Sequence, residues 1–292
     1  MVYTRPLRES DKDDILEIAR NTWDGHDYLP HYFDEWLKDK TCHTLAIEQD
    51  GHIAALANLR LIDEGTTGWM EGLRVHPNYR GKGYASILTD KLIEMAYEIG
   101  AKRIRFTTDS QNEHSLHLAF KSGMKKLQSF GVYWHEDIRK IEWSFPSSKI
   151  IAINPIAEFK AIAESGLVPN GVVVVDWKAY DATIGMGDAP MGLYKLGEAE
   201  FWANRNEKGV NALSIGIVRY DMHEPTWAFT ILAKNPNLFF EHFSFHIQEA
   251  KKRGYSQIMV TYGMQFREAL NSLDWINREL GEMEVVLLER IL

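Results

Sequence analysis

The chain has 292 residues, 45% of them apolar and 25% charged, enough for one large or two ordinary domains of a globular protein. Its formal charge of −8 argues against a nucleic-acid partner, which demands a basic face. The single cysteine, Cys42, excludes an internal disulfide and a zinc cluster, and no apolar run of ~20 residues or leader-like start suggests a membrane or secreted protein, so the expected compartment is the cytosol.

Val2 to Arg8 reads as a first strand, and Ser10 or Asp11 caps a helix expected to run to about Trp23. An aromatic and acidic loop, Asp24 to Pro30, precedes a second helix over His31 to Lys38. Strands over His43 to Gln49 and His52 to Arg60 flank Asp50-Gly51, a strong hairpin signal. The next strand, Trp69 to Val75, stops at Pro77.

There the pattern changes. Arg80-Gly81-Lys82-Gly83 leads into a helix in which Leu88, Leu92, Met95 and Ile99 repeat with helical period and Gly100 stops the run. Glycines wrapping toward unpaired helix N–H groups, with Arg80 and Lys82 adjacent, make an anion cradle. It is neither a P-loop nor a dinucleotide fingerprint.

Downstream, a strand over Arg103 to Thr108, a cap cluster at Asp109 to Asn112, a helix to Ser122 and strands over Lys126 to His135 and Arg139 to Phe145 complete a unit. Pro146-Ser147-Ser148 is the expected boundary, dividing the chain into 1–146 and 147–292. The second half echoes the first at a shift of 154: Gly254 falls on Gly100, Ile258 on Ile104 and Thr261 on Thr107. Strands over Asn211 to Tyr220 and Trp227 to Leu232 and helices over Phe239 to Arg253 and Gln265 to Trp275 fit that echo. The cradle does not repeat, because Lys234, Pro236, Asn237 and Phe239 replace Arg80, Lys82, Gly83 and Ala85.

Arg80-x-x-Gly83-x-Ala85 after Val75-x-Pro77 resembles the acyl-CoA pyrophosphate signature of the GCN5-related N-acetyltransferases (GNAT). The resemblance implies an α/β (α+β) fold with a mixed central sheet and flanking helices, followed by a degenerate GNAT-like α+β domain without a pyrophosphate loop. It implies acetyl-CoA as cofactor, held by Leu73, Arg74, Val75, Arg80, Gly81, Lys82, Gly83, Tyr84, Ala85 and Ser86, with Asn112 and Phe120 contributing. Asp27-Tyr28-Leu29-Pro30, Phe33, Trp36-Leu37 and Glu71 to Val75 look like the histidine N-acetyltransferase-like branch, through about Ser110. That branch implies a free amino acid as acceptor, with Asp27 and Tyr28 at the acceptor site. No matched motif selects which amino acid.

Transfer of an acetyl group to an amine needs an uncharged amine, a stabilised oxyanion and a proton for the thiolate. Glu71 is the candidate base, expected to share a partly desolvated face with Trp69, Leu73 and Val75, or else to pair with Arg74, Arg103 or Arg105. Gly72 marks a bulge that frees an amide near Leu73 for the oxyanion. Where the family pattern often places a tyrosine, position 119 is Ala; Tyr28 and Tyr133 are the alternatives, unranked. His114 and His117 have a metal-compatible spacing but no third ligand, and His26 and His31 carry no assigned role. The expected partner is a small amine or amino acid, with a homodimer left open; protein N-acetylation and a non-catalytic acyl-CoA sensor are the alternatives.

Overall fold

The computed structural model describes residues 3–22, 25, 27–146, 149–183, 190–220, 224–276 and 281–292. Val2, Trp23, His26, Ser147 and Ser148, on which sequence expectations fell, lie outside the described residues. Two compact units result: Met1–Phe106 with Asn112–Lys126 and Leu288–Leu292, and Thr107–Gln111 with Leu127–Leu287. The division thus differs from the expected boundary at 146, because residues 127–146 pack within the second unit.

The first unit runs β1 (Thr4–Pro6), α1 (Lys12–Arg20), α2 (Leu29–Lys38), β2 (Cys42–Gln49), β3 (His52–Ile62), β4 (Thr67–Val75), α3 (Tyr84–Ile99), β5 (Arg103–Asp109) and α4 (Glu113–Lys121). Strands β1 to β4 pair antiparallel in sequence order, and β5 joins β4 in parallel. Asp50 and Gly51 both take positive φ, as a two-residue hairpin turn twisted with its strands requires.

Helices α1 and α2 bury one face of this sheet through Ile15, Ile18, Leu29, Phe33 and Trp36, which pack with Ala46, Ile53 and Leu56. Helix α3 buries Leu88, Leu92, Ile93 and Ala96; of its predicted stripe, Met95 is half-buried and Ile99 is exposed. A side chain at Gly68 would meet Leu59, Ile104 and Ala96, so glycine there lets α3 close onto the sheet. Arg105, nearly inaccessible, pairs with Glu289 at 2.7 Å, tying the chain's last strand to β5.

The second unit contains β6 (Lys125–His135), β7 (Ile151–Ile153), α5 (Pro155–Ala163), β8 (Val172–Val175), β9 (Lys178–Asp181), β10 (Glu200–Asn206), β11 (Gly209–Arg219), β12 (Thr226–Ala233), α6 (Pro236–Lys252), β13 (Gln257–Gly263), α7 (Arg267–Asn271) and β14 (Glu282–Ile291). Its sheet order is β14-β6-β13-β12-β11-β10-β7, and β8 and β9 form a separate hairpin. Strand β13 is parallel to β12 and antiparallel to β6. The series β7-β10-β11-β12, then α6, then β13 repeats the connectivity of β1-β2-β3-β4, α3 and β5.

Two expected elements are corrected. Arg139 to Phe145 is not a strand: Ile138–Lys140 forms a single tight turn capped by Asp137, and Ile138 and Ile141 enter the core three residues apart while Trp143 packs against Phe240 and Phe243. The helix expected over Gln265 to Trp275 shrinks to Arg267–Asn271, since Met264–Phe266 forms a tight turn before it and Ser272 ends it. Among the described residues no helix is long and apolar enough to cross a membrane.

Candidate active site

The cradle is built as its composition demands. After a tight turn at Pro77–Tyr79, Gly81 (φ +77°) and Gly83 (φ +79°) adopt left-handed backbone, and Gly83 is the N-cap of α3. Among the described residues no heavy atom lies within 4 Å of where a Cβ would stand at either glycine, so the concave side of the loop is open. No side chain caps α3 and no acidic residue occupies its first turn, which leaves the amides of Tyr84, Ala85 and Ser86 and the positive end of the helix dipole for an anion.

Arg80 is exposed, its Nε 3.4 Å from the Val75 carbonyl, and the Lys82 ammonium lies 4.8 Å from the centre of the Tyr79 ring. The Tyr84 side chain is buried and its hydroxyl donates to Gln49, so this residue serves the cradle through its backbone alone.

A cleft leads away from the cradle. Strands β4 and β5 pair only over Thr67, Gly68 and Trp69 with Arg103, Ile104 and Arg105, and from Met70 onward they separate. On its other edge β4 is bulged: Glu71 aligns with Asn58 and Arg74 with Leu56, so Gly72 and Leu73 together oppose Ala57. Gly72 has φ +67°, and a Cβ there would fall 2.1 Å from Trp36 Cη2. Glycine is therefore required twice over, by backbone conformation and by the indole.

The bulge changes the expected face pattern. Glu71 keeps Trp69 beside it but gains Arg74 in place of Val75, which aligns with Ala55 and turns the other way. The resulting polar face, beneath α2, is dense with charge. Glu71 Oε1 accepts from Asn58 Nδ2 at 2.9 Å and from Arg60 Nε at 3.0 Å, and Arg60 also binds Glu35 at 2.7 Å and Asp39 at 2.8 Å. Arg60, not Arg74, Arg103 or Arg105, is the partner of Glu71. Both bonds fall on Oε1, leaving Oε2 as the atom with capacity for a further proton or donor.

Asp27 and Arg74 form a bidentate pair at 2.8 and 3.1 Å, with the carboxylate fully buried. Asp27 Oδ1 also accepts the Leu29 amide, fixing the start of α2. Asp27 and Arg74 thus bind each other and hold the loop against β4. Tyr28 lies under the Arg74 guanidinium, 5.1 Å from ring centre to Cζ, and its hydroxyl accepts the Gly72 amide at 3.1 Å. Burial pushes its phenol up, so the proton stays on through the neutral range.

Asn112 caps α4 through a 3.1 Å bond from the Ser115 amide, and Phe120 is exposed, so its ring is no part of the core. Ala119 is buried. Tyr133, the other phenol, sits in the core of the second unit and donates to His135 Nδ1 at 2.9 Å, while His135 Nε2 donates to the Asp137 carbonyl. His114 and His117 are exposed. Sequence reasoning named Trp36 only within the branch resemblance and missed Asn58 and Arg60. Only alternation along β3, which puts Asn58 and Arg60 in phase, hinted at the last two.

Among the described residues the corresponding elements of the second unit, β12, β13 and α6, lack these features. Strand β12 pairs with β13 through six successive residues, Thr226 to Ile231, and with β11 through eight without a shift. At the start of α6, Asn235 caps the Leu238 amide and Pro236 removes another donor.

An open glycine cradle at a helix start thus runs into a splayed parallel strand pair and a bulge. Residues 12–124 match the acetyltransferase (GNAT) family. The chain is 26% identical to the histidine N-acetyltransferase of Xenopus tropicalis, over 62% of this chain and 60% of that one. It is 36% identical to that of Oreochromis niloticus, over 35% of this chain and 31% of the other. The chain thus spans less than two thirds of the length of these relatives. The GCN5-related N-acetyltransferase of Sphaerobacter thermophilus, 12% identical, shares the fold across 99% of this chain and 95% of its own, with a TM-score of 0.59.

Proposed function

We propose that the protein is an acetyl-CoA-dependent N-acetyltransferase acting on the amine of a small molecule, a free amino acid by its similarity to the histidine N-acetyltransferases. The open cradle running into the β4–β5 cleft carries this reading. It offers three helix amides, two left-handed glycines and two cationic side chains to a pyrophosphate, and the space where a Cβ would stand at both glycines is open among the described residues. Acetyl-CoA supplies an activated acyl group; the chain's own groups bind, orient and move protons.

In this reading the bulge at Gly72 and Leu73 turns the Leu73 amide toward the acyl oxygen, the Gly72 amide being held by Tyr28. Glu71 Oε2 takes the ammonium proton directly or through water, with Arg60 and Asn58 fixing the carboxylate through Oε1. Tyr28, its hydroxyl held beside β4 by the Gly72 amide, is the group assigned to protonate the departing thiolate. Tyr133 is a poorer candidate because its proton is already donated to His135. Residues 147–292 read as a degenerate copy of the same fold, since the strand connectivity recurs while the cleft, bulge and open helix start do not. One cofactor site per chain follows.

Thiol release from acetyl-CoA across a panel of free amino acids, amines and short peptides tests the proposal. Turnover with one or a few free amino acids is expected. Turnover confined to peptides points to protein N-acetylation instead. A second reading draws on the Glu71–Arg60 ion pair, which also suits a carboxylate that only holds neighbouring strands together. Tight acetyl-CoA binding with no thiol above background for any amine would establish a sensor.

A further inference from the structure

The second unit contains a pocket of about 460 Å³, lined in part by Trp134, Trp177, Asp109, Arg267, Glu282 and Glu284. Three carboxylates face one guanidinium, and that guanidinium is engaged: Arg267 Nε donates to Glu282 at 2.9 Å, and Nη1 lies 3.9 Å from Glu284. Glu282, nearly inaccessible, also accepts the Tyr262 hydroxyl at 2.8 Å. Among the described residues the lining therefore keeps a net negative charge beside two indoles, the combination that favours an organic cation over a neutral or anionic ligand.

A second observation concerns Trp177. It occupies the two-residue turn between β8 and β9 with φ +68°, next to Asp176 at +46°. Left-handed backbone strains a bulky side chain in a way that glycine or asparagine largely avoids. The turn is nonetheless fixed: Thr107 Oγ1 donates to the Trp177 carbonyl at 2.9 Å, and Arg219 holds Asp176 at 2.8 Å. Those bonds aim a strained indole at the pocket, where hairpin formation alone calls for no indole. The facing Trp134 already attracts a cation, with the Arg219 guanidinium 6.0 Å from its ring centre.

We propose that this pocket of the second unit binds a small protonated amine, with Asp109 and Glu284 balancing its charge and Trp134 and Trp177 contacting its hydrocarbon. The pocket lies wholly inside one unit, and its binding stands whether or not acetyl transfer is confirmed.

Benzylamine, benzyl alcohol and benzoate, three probes of one shape and different charge, test it on the full chain without acetyl-CoA. Calorimetry and indole fluorescence are expected to show the amine binding about tenfold tighter than the alcohol, and benzoate not at all. Asp109→Asn keeps a side-chain acceptor for the Gln111 amide, which Asp109 Oδ1 now holds at 2.8 Å, and should weaken the amine several-fold while leaving the alcohol unchanged. Trp177→Asn suits the turn and should weaken amine binding several-fold and reduce the fluorescence response to the share reported by Trp134, with an unfolding midpoint at or above wild type. Equal affinity for amine and alcohol, no binding of any probe, or amine binding unchanged in both variants would overturn the proposal.

Discussion

The hydroxyl of Tyr28 and the amide of Gly72 meet at 3.1 Å, 44 residues apart in sequence, where the loop before α2 touches the bulge of β4. This bond joins the predicted acceptor loop to the strand that carries Glu71. Tyr28→Phe removes it together with the phenolic proton. The expected result is a fall in kcat on the order of 100-fold, with acetyl-CoA affinity kept, measured by steady-state thiol release. An unchanged kcat would remove Tyr28 as the acid.

Glycines 72 and 83 separate structural from binding roles. Gly72→Ala sets a methyl against Trp36 on left-handed backbone and should cost roughly 2–5 kcal/mol in urea unfolding. Gly83→Val meets open space and should cost only about 1–2 kcal/mol while abolishing acetyl-CoA binding in calorimetry. A Gly83→Val variant that binds acetyl-CoA normally would show that the cradle is not the pyrophosphate site.

Glu71→Gln retains an acceptor for Asn58 and Arg60 but cannot take a proton. A rate loss on the order of 100-fold or more near neutral pH, with near-normal acetyl-CoA affinity, is expected from the rate-against-pH profile. Profiles that superimpose on wild type would assign Glu71 to the ion-pair network alone.

Stability should fall in acid through the second unit. His242 is buried between Ser214 at 2.7 Å and Asn204 at 3.0 Å, and burial pushes its pKa from 6.5 down to about 3. Burial lowers His246 in the same direction. The unfolded chain takes up these protons first, so the stabilisation is complete above about pH 6.5 and is lost as pH falls toward 3. The slope is about 1.4 kcal/mol per pH unit for each histidine. Urea unfolding between pH 7 and pH 4 reads it, and His242→Gln should flatten the dependence.

The cradle and the helix behind it were legible because glycine, cationic residues and helical periodicity are local signals. Gly72 was legible as a bulge for the same reason. What the bulge does was not: one extra residue reverses alternation, so Glu71 faces Arg74, and no sequence rule places Arg60 of a neighbouring strand onto it. Asp27 was placed at the acceptor site through the branch resemblance, and its ion pair with Arg74, 47 residues away, carries no local signal. The β8–β9 turn went unnoticed because Asp-Trp is not a turn signal. Arg139 to Phe145 alternated like a strand, yet Ile138 and Ile141 were needed in the core, and tertiary burial decided the backbone.

The membership of residues 288–292 in the first unit has a consequence for biosynthesis. A ribosome that has completed α4 has not yet made the segment that flanks β5, so Arg105 waits for Glu289 until almost the whole chain has emerged. Release of a partial chain ending near residue 146 would expose a sheet edge at β5, an invitation to aggregate or to borrow a strand from another molecule.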